Sequence, residues 1–341
     1  MRKIVWLSSL FFLLLLLGAC GEKSQEEVVQ DLDNKLQDMT GYKGKASMTL
    51  ETGEEPRTYD VDIWHLQNET NKYYKVDLKN EEEEQNQMII RNDDGVFVLT
   101  PALNKSFRFQ SDWPNNNSQV YLYESLISDI LMDAERTFAI HEDTYVFETK
   151  TNYQNKNLHH QEIVLDSKSL RPETVKIYDS DYKLLVSVEF SDFEEDATFD
   201  ENDFDTDKNM TAANLGEVPA STEEEPANFD VVYPTFEPQG TELSDTEETM
   251  TETGKKVVLS YTGDKSFTII EKAEQVEPAM ASVDVGAGEP VNLDFAVGAQ
   301  TDDSLTWTNE GVEYFLASNN LTMEEMAAVA RSMNHSTESV K

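Results

Sequence analysis

Cys20 is the only cysteine among the 341 residues, and its thiol is the strongest nucleophile the chain owns. A lone thiol can neither close a disulfide within the chain nor build a zinc site on several thiolates. The five histidines are His65, His141, His159, His160 and His335. None forms a His-x-x-x-His pair, and the adjacent His159 and His160 point to opposite faces of a strand. Asp203, Asp205, Asp207 and Asn209 open like a calcium loop, but Lys208 stands where the turn glycine belongs and Asn214 fills the twelfth place. A solvated acidic segment is expected there instead. Gly263-Asp264-Lys265-Ser266 lacks the upstream glycine of a phosphate loop and sits in a hairpin-like context. No Gly-x-Ser-x-Gly elbow occurs, and 67 carboxylates form pairs at every spacing by chance. The sequence therefore nominates no catalytic residue, no metal site and no cofactor, and it reads as a non-enzyme.

Around the thiol the order is specific. Arg2 and Lys3 precede an apolar run from Ile4 to Leu17, interrupted only by Ser8 and Ser9. That run is short for a membrane span, which takes about 20 apolar residues. Leu17, Gly18 and Ala19 then lead into Cys20, with Gly21 after it. This resembles the lipobox of bacterial lipoproteins. The resemblance implies diacylglycerylation of the Cys20 thiol and cleavage just before it, with a signal peptide over 1–19 and a lipidated tether over 20–25. At about 0.8 kcal/mol per buried methylene, two or more acyl chains hold a protein stably at a membrane. A secreted protein with an incidental cysteine is the competing reading.

Charge limits the partners. Asp and Glu number 67 against 27 Lys and Arg, a formal net charge of -40. Nucleic-acid binding needs clustered cations to neutralise phosphates, and adhesion to anionic headgroups needs the same, so neither is expected. Hydrophobic residues at 38% and aromatics at 10% still suffice for a folded core.

Periodicity supplies the elements. Val28, Val29, Leu32, Leu36 and Met39 recur at helical spacing. From Ala46 the period becomes two, through Met48, Leu50, Tyr59, Val61, Ile63, Tyr74, Val76 and Leu78 and onward to Phe107 and Phe109. The Glu81-Glu82-Glu83-Glu84 run reads as a hairpin tip. Residues 118–132 return to helical spacing, and short strands resume up to Phe190. A second unit begins near Phe229, with strand-like segments that include Asp230-Tyr233 and Val291-Val297. It closes on a Thr322-x-x-Glu325 capping box and a stripe of Met326, Val329, Ala330 and Met333.

Amphipathic helix, alternating strands, an inserted helix and more strands: this order resembles the LolA/LolB superfamily. Tyr42-Lys43-Gly44-Lys45-Ala46-Ser47-Met48, Asp94 to Pro101 and Arg171-Pro172-Glu173-Thr174-Val175 support the likeness. With the lipobox, the chain most resembles the Firmicute sporulation lipoproteins of the YdcC type and their germination relatives. Trp307 through Met333 is similar to a domain found in extracytoplasmic proteins of spore formers. The implied fold class is α+β: an unclosed antiparallel β-barrel covered by helices over 26–206, an acidic linker over 207–228, and a smaller α+β domain over 229–337. The implied function is binding of a lipid, an acyl chain or a lipidated or hydrophobic partner in an apolar cleft, during sporulation or germination. Candidate cleft-lining residues are Met48, Ile63, Tyr74, Val76, Ile89 and Phe97. Leu99, Phe107, Phe109, Ile127 and Leu131 complete the set, with an ordinary packed core as the alternative for each. The competing function is a non-catalytic docking module that regulates a cell-envelope or cortex-modifying enzyme. In either case the expected place is the extracytoplasmic face of the membrane.

Overall fold

The computed structural model describes residues 23–52, 56–68, 71–80, 85–115, 118–216, 229–251, 254–273, 281–286 and 288–333. Leu17, Gly18, Ala19 and Cys20, the run at 81–84, residues 217–228 of the acidic linker and the tail from 334 lie outside them. Helix α1 (Gln25–Asp38) comes first, followed by β1 (Gly41–Leu50), β2 (Arg57–Gln67), β3 (Lys72–Asn80), β4 (Gln85–Asn92), β5 (Gly95–Thr100) and β6 (Lys105–Phe109). Helix α2 (Tyr123–Met132) leads to β7 (Thr137–His141), β8 (Thr144–Lys150), β9 (His160–Asp166), β10 (Pro172–Tyr178) and β11 (Leu184–Glu195), then to α3 (Thr206–Gly216). The rest comprises β12 (Thr241–Thr251), β13 (Gly254–Gly263), β14 (Phe267–Ala273), β15 (Ala281–Gly286), β16 (Glu289–Asn292) and β17 (Val297–Gln300). It ends with β18 (Ser304–Asn309), β19 (Val312–Ala317) and α4 (Met323–Arg331). Among the described residues no helix is long and apolar enough to cross a membrane.

Contacts divide the chain after Asp38. In the leading part, α1 starts on a reciprocal cap: the Glu27 amide donates to Ser24 Oγ (3.3 Å) and the Ser24 amide to Glu27 Oε2 (2.8 Å).

Beyond it, twelve strands form one sheet in the order β15-β6-β5-β4-β3-β2-β1-β11-β10-β9-β8-β7. All neighbours are antiparallel except β15, which lies parallel to β6. The two end strands do not join, so the sheet is open. Directly paired residues project to the same side. Met48 faces Tyr59 across β1–β2, Ile63 faces Val76, Val76 faces Ile89, Ile89 faces Val98 and Val98 faces Phe107. These residues define one side, the Val76 face.

Two expected cleft residues lie on the other side. Phe97 and Leu99 pack with Tyr73, Met88 and Ile90 beneath Phe204 and Met210. The physical reason is that β5 is covered on both sides. Val96, Phe97, Val98 and Leu99 are all buried, so the apolar run carries no alternation to separate the faces. Met210 belongs to α3, which occupies 206–216, where a linker was expected to begin at 207. Helix α3 thus helps cover the Phe97 face.

A second sheet has the order β12-β13-β14-β19-β18-β17-β16. Its core holds Val257, Leu259, Ile269, Leu305 and Leu316, with Trp307 stacked on Tyr314 at 5.0 Å and 5°. Helix α4 begins on the Thr322–Glu325 capping box and buries Met326, Val329 and Ala330. The expected strand over 291–297 is broken. Asn292 Oδ1 accepts from the Asp294 amide (2.8 Å), the Leu293 amide donates to Ala296 O (2.9 Å), and Asp294 adopts a φ of 72°. The side-chain bond from Asn292 competes with strand pairing and turns the chain. Asp230–Tyr233 also runs without strand pairing.

Candidate functional site

Helix α2 lies on the Val76 face. Its apolar spacing buries Leu126, Ile127 and Ile130. Two polar residues set its position. Tyr123 donates its hydroxyl to Leu170 O (2.8 Å). Asp129 accepts from Ser118 Oγ and from Gln161 Nε2, each at 2.7 Å. Burial pushes the Asp129 carboxyl up to about 6, even though both hydrogen bonds pull the other way.

At the start of the same helix, three side chains from the sheet converge on Glu124. Tyr42 donates its hydroxyl to Oε2 (2.7 Å), and His65 Nε2 stands 3.1 Å from Oε1. Tyr74 stacks on His65 at 4.5 Å. His65 Nδ1 lies 3.1 Å from the Tyr73 carbonyl oxygen, so the imidazole faces two acceptors. A neutral ring has one N–H for those two positions. Burial lowers the His65 pKa against the pull of Glu124, and burial raises Tyr42 and Tyr74, with Glu124 adding to both. His65 is 1% exposed, so the group is sealed between the helix and the sheet.

Next to α2 the Val76 face opens into a mouth lined by Met48, Tyr59, Leu78, Gln87, Ile89, Trp113 and Tyr121. The turn between β16 and β17 forms its other wall, and Phe295 in that turn is buried with the core of the second sheet. Tyr59 donates its hydroxyl to Phe295 O (3.0 Å). Gln87 pairs with the Val297 peptide, accepting from its amide at 2.8 Å and donating to its carbonyl at 3.4 Å. About 30 Å³ of free space remains, room for a water or two.

Of the expected cleft residues, Met48 and Ile89 line this mouth. Ile63, Tyr74, Val76 and Phe109 are buried on the same face, Phe107 is half-buried near its β15 edge, Ile127 is buried within α2 and Leu131 is half-buried. Phe97 and Leu99 belong to the opposite face. Sequence reading missed Tyr42, His65, Tyr59, Gln87, Glu124 and Phe295. Strand parity with Ile63 and Met48 could have flagged His65 and Tyr59. No sequence signal joins Gln87 to Val297.

A larger hollow of about 320 Å³ lies across β7–β10, lined by Glu135, Glu148, Glu162, Tyr178 and Tyr182. Tyr182 stacks on His160 at 4.6 Å and 7°, and Glu148 sits directly across from Glu162. Among the described residues no group of three or more His, Cys, Asp or Glu side chains is placed to hold a metal ion.

A family model described as "Sporulation protein YdcC-like" matches residues 1–204. Sporulation protein YdcC of Bacillus subtilis (strain 168) is 48% identical over 334 residues, covering 97% of this chain and 97% of that protein. Among solved structures, the MucA/MucB complex of Pseudomonas aeruginosa matches at 14% identity over 88% of this chain and 97% of that one, with a TM-score of 0.34. The LolA superfamily protein NE2245 of Nitrosomonas europaea matches at 10% identity over 55% of this chain and 100% of that one, with a TM-score of 0.30. The CwlD amidase of Clostridioides difficile in complex with the GerS lipoprotein matches at 20% identity over 51% of this chain and 97% of the matched chain, with a TM-score of 0.30.

Proposed function

This chain belongs to the YdcC-like family of sporulation proteins, and on that footing we propose that it is a membrane-anchored, non-catalytic binding protein of the extracytoplasmic face. Its Val76 face takes a hydrophobic guest: a lipid, an acyl chain, or an apolar part of a lipidated or hydrophobic partner. One observation carries this reading. On the Val76 face the mouth is lined by Met48, Leu78, Ile89 and Trp113, and the chain's own turn between β16 and β17 forms its other wall. Apolar burial scales with area and needs no directed polar partner, so a mouth lined this way suits greasy groups. Anchoring rests on Leu17-Gly18-Ala19-Cys20 after the apolar run. The non-catalytic role is supported by the burial of His65, whose ring is held on the Tyr73 carbonyl beneath α2.

A second reading, a docking module for a cell-envelope or cortex-modifying enzyme, draws on a different observation. The 30 Å³ left in the mouth is far below the roughly 300–1,000 Å³ of ordinary ligand pockets, whereas the hollow across β7–β10 offers about 320 Å³. Native mass spectrometry of the unlipidated chain with a triacylated lipopeptide separates the two. One adduct per chain is expected. A uniformly bare protein, together with a stoichiometric envelope enzyme recovered from membranes of sporulating cells, would favour the docking role.

A further inference from the structure

Strands β8 to β10 bury Phe147, Ile163 and Val175 on one face and turn Glu148, Glu162 and Lys176 to the other. On that second face Thr137, Glu148, Glu162 and Lys176 form a row, each directly across from the next. Like charges directly opposite one another destabilise an antiparallel pair. The only relief is partial. Thr137 Oγ1 donates to Glu148 Oε2 (3.2 Å), and Lys176 Nζ stands 3.7 Å from Glu162. Among the described residues no cation pairs with Glu148. The fold therefore holds two carboxylates side by side on the lining of the 320 Å³ hollow.

The neighbouring row is aromatic. His160 lies across from Lys150 on one side and Tyr178 on the other, with Tyr182 stacked over its ring. Burial raises the pKa of the Tyr178 hydroxyl, and Glu162 and Glu148 raise it further, so both carboxylates act on this ring. Tyr182 is 65% exposed and holds a φ of 61°. Its amide donates to Asp179 O (3.2 Å), and Asp179 Oδ1 accepts from the amides of Asp181 and Lys183 (2.9 Å each). A fixed turn thus presents an aromatic ring beside the paired acids. Thr149 also lines the hollow; it is 4% exposed, and its Oγ1 has no hydrogen-bond partner among the described residues.

In all, Asp133, Glu135, Glu148 and Glu162 face one ammonium, that of Lys150, which pairs with Glu135. Carboxylates, ring faces and a spare hydroxyl oxygen are acceptors and π-systems, the surroundings that suit an organic cation. A bare metal ion fits poorly, because no three acidic or histidine side chains among the described residues are placed to hold one. An extended cation fits better: ring faces match an alkyl stem, and separate carboxylates match separate ammonium groups. We propose that the hollow across β7–β10 binds a linear aliphatic polyamine, with ammonium groups on Glu148 and Glu162 and the stem along Tyr178 and Tyr182. This site shares no lining residue with the mouth on the Val76 face.

The test is calorimetric titration of the full chain with spermidine in 0.15 M sodium chloride. One spermidine per chain is expected to bind saturably. Glu148→Gln combined with Glu162→Gln should weaken it about tenfold or more, and should raise the urea midpoint of the ligand-free protein because the opposed charges are gone. Tyr182→Gly removes the ring and suits the positive φ; it should weaken binding about two- to fivefold with no loss of stability. With a net charge of -40, diffuse attraction of any polycation is the rival explanation. Glu242→Gln combined with Glu247→Gln removes the same charge from exposed positions on β12, and should leave affinity unchanged. Equal weakening by the two double variants, or the lack of a saturable site, would overturn the proposal. Binding of trilysine without spermidine would overturn the free polyamine in favour of a basic protein segment. Binding of neutral chitotriose without spermidine would overturn the cation in favour of a saccharide.

Discussion

His65 Nε2, on a central strand, stands 3.1 Å from Glu124 Oε1 in the first turn of the helix that lies over that strand. Tyr42 donates to the other carboxylate oxygen, so the hydrogen bond that ties this side chain of α2 to the sheet comes from Tyr42. Removing it leaves the buried Tyr42 hydroxyl without that acceptor. An unsatisfied buried polar group costs about 1–3 kcal/mol. Glu124→Ala is therefore expected to lower stability by about 2 kcal/mol or more, read as a lower urea midpoint at unchanged slope. Glu124→Gln, which keeps an acceptor for Tyr42, should lose less.

Glu271 is fully buried in the second sheet, where one carboxylate oxygen accepts from the Val232 amide (3.3 Å). Burial pushes its pKa up to about 7, from 4.5 for the free side chain. The folded state thus binds the proton more tightly than the unfolded chain does. Stability from this group is fully present below about pH 4.5, declines as pH rises through about 7, and is constant above. The loss amounts to something on the order of 3 kcal/mol. Glu271→Gln should flatten that decline, so the gap between variant and parent widens in the variant's favour from pH 5 to pH 8. Urea titrations at the two pH values check it; parallel pH profiles would contradict it.

Phe204 is fully buried over Tyr73 and Phe97, on the face opposite the Val76 face. Phe204→Ala should cost about 3–5 kcal/mol, as large-to-small core changes do. Hydrogen exchange should accelerate in Gly95–Thr100 and Thr206–Gly216 before it does in His160–Asp166. Uniform acceleration across all three would show that α3 and β5 do not form a local unit.

Cys20→Ala should release the protein from membranes. In a Triton X-114 partition the unsubstituted chain is expected in the detergent phase and the variant in the aqueous phase, since under the proposed lipidation the acyl chains supply the anchoring energy. A variant that stays with the detergent would remove the thiol from the anchoring role.

Alternation in β1 to β3 identified the inward side of those strands, because their register pairs Met48, Ile63 and Val76 with other apolar residues on one face. It failed at Val96–Leu99, where cover on both sides erased the pattern. The capping box at Thr322 was legible because cap and helix lie within four residues of each other. Short-range grammar of this kind is written locally, in propensity, periodicity and turn chemistry. The apolar character of the face, the final helix and the uniqueness of Cys20 followed from it.

What covers that face did not. Glu124 meets His65, Gln87 meets Val297 and Tyr59 meets Phe295 only after distant segments pack together. Each of these contacts joins a polar side chain to a partner far away in the chain, and a hydrogen bond leaves no trace in the spacing of either residue. Hydrophobicity marked which surface must be buried. Only the tertiary structure decided that the chain's own turn between β16 and β17 walls part of it, because burial is satisfied by any apolar cover and the fold brings this one within reach.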